Sequence, residues 1–136
     1  MPGIDECLLE AMLVPGARGA AVVDWISGLA LGSVGEPSGS DHEATAAETA
    51  ELARMATEYG AFAPEEPAVD DDSGKAKGPP VEDLIVTTRT GYHVVRFVET
   101  TFDSSVFLHL WLDRELGNLA LARLRLSDLA ERLVLG

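Results

Sequence analysis

The chain has 136 residues, 46% of them apolar, and a formal net charge of −13. That length fits one domain, residues 1–136, able to bury a core without disulfide staples, and the single cysteine, Cys7, excludes an internal one. The acidic balance argues against nucleic acid and against anionic membrane surfaces, both of which select basic patches.

The opening segment, MPGIDECLLEAM, is acidic and lacks a basic n-region, so it does not read as a signal peptide. No apolar run approaches ~18 residues, so no membrane span or insertion is expected and a cytoplasmic location is. Ile4 to Val14 reads as a short amphipathic helix with Ile4, Leu8, Leu9 and Met12 on its apolar side, stopped by Pro15 and Gly16. Cys7 lies on it without a nearby base, so a small packed or half-exposed side chain is expected rather than a nucleophile.

Gly19 to Trp25 and Leu29 to Val34 read as an antiparallel hairpin, with Gly28 supplying the positive φ of the turn. Ala20, Ala21, Ala30 and Gly32 leave room above it for something bulky, such as a helix. After the loop EPSGS, Ser40 or Asp41 caps a long helix running to Phe62.

That helix has two apolar stripes. Leu52, Met55, Tyr59 and Phe62 form a large one; Ala46, Ala50, Ala53 and Thr57 form a small one nearly opposite. A monomer's surface helix needs only one. The large stripe suits packing on a sheet. The small stripe suits the close approach of a second subunit's helix, or consists of alanines that are simply good helix formers on a wet face.

Residues 63–80 hold four of the seven prolines and a run of acids, and read as a flexible loop. A second hairpin follows. Leu84 to Thr88 is its first strand, Thr90–Gly91 its turn, and Tyr92 to Val98 its return. Val106 to Asp113 is the fifth strand, with Val106, Leu108, Leu110 and Leu112 on one face and Phe107, His109 and Trp111 on the other. Both faces are apolar, which predicts a central strand covered on both sides. Asn118 caps a last helix to Val134, with its core stripe on Leu119, Ala122, Leu126, Ala130 and Leu133. The fold class is α+β: α-β-β-α-β-β-β-α, a five-stranded antiparallel sheet with helices on both faces.

Motifs of chemistry are absent from the text. There is no GxxxxGK[ST], GxGxxG, HExxH or CxxC. His42, His93 and His109 are too scattered to read as a metal set, and no carboxylate pair stands out for acid–base work. Neither an enzyme nor a cofactor or metal site is expected.

Three segments carry a resemblance: GAAVVDWISGLALGSVG, VEDLIVTTRTGYHVVRFVE, and VFLHLWLDRELGNLALARLRLSDLAERLV. Their order and the small-residue helix between them resemble the Roadblock / dynein light chain domain family in its bacterial form. The resemblance implies a profilin-like sandwich with strand order 2-1-5-4-3, the middle helix on one face and the terminal helices on the other. It implies pairing through the middle helix and third strand, as a homodimer or a heterodimer with a related chain. On this chain that surface would be Ala46, Ala50, Ala53, Arg54 and Thr57 with Leu84, Val86 and Thr88. It further implies a scaffold or regulator of a small Ras-like GTPase in bacterial signalling, and in the stricter form a stimulator of GTP hydrolysis. A small-molecule sensor on a hollowed sheet is the alternative.

Overall fold

The computed structural model describes residues 3–62, 81–98 and 105–133. The expected loop over 63–80 lies outside them. The elements are α1 (Ile4–Ala11), β1 (Ala17–Asp24), β2 (Leu29–Gly35), α2 (His42–Glu58), a 3-10 turn (Gly60–Phe62), β3 (Asp83–Thr87), β4 (Gly91–Val98), β5 (Val106–Asp113) and α3 (Leu119–Leu133).

Local chemistry sets most boundaries. Gly28 turns the first hairpin at φ 78°. The Asp41 carboxylate accepts from the Ala44 N–H at 2.7 Å and caps α2. The Asn118 side chain likewise accepts from the Leu121 N–H at 3.0 Å and starts α3. The long helix ends at Glu58 rather than Phe62, and the chain tightens into the 3-10 turn.

The five strands form one antiparallel sheet in the order β2-β1-β5-β4-β3. β5 is central, with six consecutive buried residues, as its doubly apolar pattern predicts. One core lies between the sheet and the terminal helices: Leu8 and Ala11 from α1 and Leu126 and Leu129 from α3 meet Val22, Val94, Leu108 and Leu110. Gly32 belongs here, since the side chains of Ile4 and Leu8 occupy the space where its Cβ would stand. The second core lies under α2, where Ala46, Ala50 and Ala53 meet Ala21, Val23, Val95, Phe97 and Phe107.

This second core corrects the expected use of α2. Ala46, Ala50 and Ala53 are 0–1% exposed within the single chain, packed on the sheet, and so are not available to a second subunit. The large stripe faces outward instead. The physical reason lies in the strands. Phe97 and Phe107 supply the bulk of this layer from the sheet side, with Trp25 edge-on to Phe97. A helix above them fits only if its inner face is small.

Candidate functional site

On the outer face of α2, Leu52, Met55 and Tyr59 are 41%, 48% and 57% exposed, and Phe62 in the 3-10 turn extends the stripe. Three large apolar side chains at helical spacing on a wet face are unusual for a monomer. Beside them α2 lies mainly over β1 and β2 and meets β4 through Val95 and Phe97, which leaves a recess beside Val86 of β3 and His93 of β4. The result is a groove of about 250 Å³. Glu48, Thr49 and Leu52 form its helix wall; Val86 and Thr88 form its far wall; Val95, His93 and His109 form its floor. β3 is the sheet edge next to it, so its outer backbone groups have no strand partner among the described residues.

The floor is an imidazole pair. His93 Nδ1 and His109 Nε2 lie 3.0 Å apart, one donating to the other. The rings stack with centroids 5.2 Å apart. His109 in turn lies against Trp111 at 4.7 Å, and His42 from the start of α2 lies over Trp111 at 6.1 Å. Burial pushes the His109 imidazole down to about 3, with its neighbour His93 adding to the effect. Burial also lowers His93. Both rings are therefore neutral near pH 7, which suits a bond between one N–H and one lone pair.

Cys7 lies in the other core, under α1, and burial pushes its thiol up to about 11. It is protonated and remote from the imidazoles. Among the described residues, no group of three or more His, Cys, Asp or Glu is placed to hold a metal ion. No helix among them is long and apolar enough to cross a membrane.

The predicted interface residues separate into three sets. Ala46, Ala50 and Ala53 are core. Arg54 and Thr57 are half-buried on α2, with the Thr57 hydroxyl donating to the Arg54 carbonyl at 3.0 Å. Leu84 packs against the core under α2, while Val86 and Thr88 line the groove. Val86 and Thr88 of the strand half thus border the groove, whereas Leu84 and most of the helix half pack inward. The residues overlooked are Leu52, Met55, Tyr59, Phe62 and His93. The signal was the aromatic content of β4 and β5, which already fills the layer that the large stripe was expected to fill.

No protein-family model and no curated protein sequence matches the chain. Solved structures do. A Roadblock/LC7 domain from Streptomyces avermitilis superposes with a TM-score of 0.69 at 17% identity, covering 97% of this chain and 95% of its own. The gliding protein MglB from Thermus thermophilus gives 0.68 at 19% identity, over 96% and 85%. Myxococcus xanthus MglB gives 0.66 at 18% identity, over 96% and 88%.

The fold is that of a Roadblock domain. In Roadblock terms, α2 and β3 are the elements through which the resemblance implies pairing. Those are the elements that carry the exposed stripe and the open edge here.

Proposed function

We propose that the chain is a dimeric, non-enzymatic scaffold and regulator of a small Ras-like GTPase, working in bacterial signalling. The observation that carries the reading is the Leu52–Met55–Tyr59 stripe beside an open β3 edge on a Roadblock fold. A second Roadblock chain, whether a copy of this one or a relative, would cover both at once. Its helix would lie on the stripe and its third strand would continue the sheet. Each of these side chains is about half-exposed already, so covering the remainder contributes roughly half of the 1.5–3 kcal/mol of a full burial.

The GTPase part of the reading is supported by the likeness to MglB structures and by the family resemblance together. In the stricter form of the reading, the assembled surface orders the switch loops of the GTPase and so speeds hydrolysis without donating a catalytic arginine. Arg54 is the cation of α2, and its half-buried position suits a positioning contact better than a reach into a partner's phosphates. The groove, at about 250 Å³, is smaller than the roughly 300–1,000 Å³ of small-molecule pockets, which favours docking over sensing.

The test is capture on immobilised protein from cells of its source, with lysate loaded with GDP or with a non-hydrolysable GTP analogue. Recovery of a small GTPase from the analogue-loaded sample, followed by faster single-turnover hydrolysis when the chain is added, is the expected result. Recovery from both samples with unchanged hydrolysis reduces the reading to a scaffold. Absence of any GTPase from both sinks it.

A further inference from the structure

We propose that the seam on α2 is built for a related chain whose matching helix is basic, rather than for a second copy of this chain. This rests on the docking reading above and adds the charge of the partner. On a helix surface, residues three and four apart are neighbours. Glu48 therefore stands beside Leu52, while Glu51 and Glu58 stand beside Met55. All three glutamates are exposed, and Glu48 also lines the groove.

Among the described residues these glutamates have no ion-pair partner. None of the ion pairs among the described residues involves α2; they join Arg18 to Glu36, Arg123 to Asp83, and Arg132 to Glu10 and Asp128. Three glutamates against Arg54 leave −2 on this side of the helix, so two identical helices bring −4 into one seam. Packed helices stand about 8–10 Å apart, within a Debye length at ordinary salt. The groove floor offers no relief, because the His93–His109 pair is neutral. β3 does not discriminate between partners. Glu82 and Arg89 flank it at opposite ends, an arrangement that an antiparallel copy would accept. The choice of partner therefore falls to α2, and lysine or arginine opposite Glu48, Glu51 and Glu58 is the chemistry that complements it.

The probe for such a partner is the chain itself with Glu48→Lys, Glu51→Lys and Glu58→Lys. Wild type, variant and their 1:1 mixture are followed by native mass spectrometry and light scattering at about 0.02 M and about 0.5 M NaCl, where the Debye length falls from roughly 20 Å to roughly 4 Å. The expected mixed dimer exceeds its statistical share by about tenfold at low salt, and the excess shrinks at high salt. Wild type alone is expected to self-associate more tightly as salt rises, a measurement that needs no variant. A wild-type dimer whose affinity does not rise with salt, with statistical mixing, overturns the proposal. Adding Leu52→Glu to both chains separates the two levels of the argument. If association persists, α2 is not the seam and the docking reading itself fails. If association is lost while the wild-type dimer is indifferent to salt, only the charge assignment fails. Should the triple variant lack the helical circular dichroism of wild type, Glu51→Lys with Glu58→Lys serves as the probe.

Discussion

His109 is 98% buried, since its relative exposure is 2%, yet it is an imidazole with its Nδ1 unpartnered among the described residues. Its burial has a sign that can be measured. The folded state holds it near 3, against an ordinary value of 6.5. Above pH 6.5 it is neutral in both the folded and unfolded states and contributes no pH dependence. Below that, the unfolded chain takes up a proton that the folded chain refuses, so stability falls as pH falls toward 3. Wild type should therefore lose about 2 kcal/mol more than His109→Phe between pH 7 and pH 5, read by urea denaturation at each pH. Equal losses would show that the ring is not held neutral by the fold. Ala53 makes a second residue-scale case. It is 0% exposed against the sheet, so Ala53→Leu should overpack the layer and cost about 1–3 kcal/mol in the same assay. A stability equal to wild type would mean that this face of α2 is not packed.

At the scale of the element, α2 shows what the sequence could and could not disclose. Its existence, a cap at Ser40 or Asp41 and its two stripes were legible, because periodicity and capping are local, and the structure places the cap on Asp41. Which stripe points inward was not legible from the helix alone. The rule that bulk goes inside assumes that the opposing surface is neutral about size, and here Phe97 and Phe107 on the strands had already filled the layer. Phe107 was read correctly on one face of the two-faced β5, where both stripes belong to one strand and no choice between them arises. Val86 and Thr88 were named through the family resemblance rather than from the residues, and they line the groove beside the edge strand β3. The outward stripe gives this scale its prediction. Leu52→Glu with Met55→Glu should abolish self-association in light scattering. Folding stability of the monomer should change by no more than about 0.5 kcal/mol, because both positions are exposed. Loss of association accompanied by unfolding would mean that the stripe belongs to the core after all.

At the scale of the whole molecule, charge is the dominant feature. A net −13 over 136 residues sets up a field that any partner meets before it makes contact. Once a second chain covers the α2 stripe, the surface left to a further partner is still acidic, so an approaching face must itself be positive or lose affinity to repulsion. If the proposed GTPase is the partner, the face it presents should be electropositive, and its association rate with this chain should fall steeply with salt. Stopped-flow binding between about 0.05 M and about 0.5 M NaCl should show an association rate lower by about tenfold or more at the higher salt, with a much smaller change in dissociation. The contrast between the two rates is what matters. Long-range steering acts on encounter and is screened, whereas short-range packing acts after contact and is not. A rate that ignores salt would mean that the acidic surface serves solubility rather than recognition.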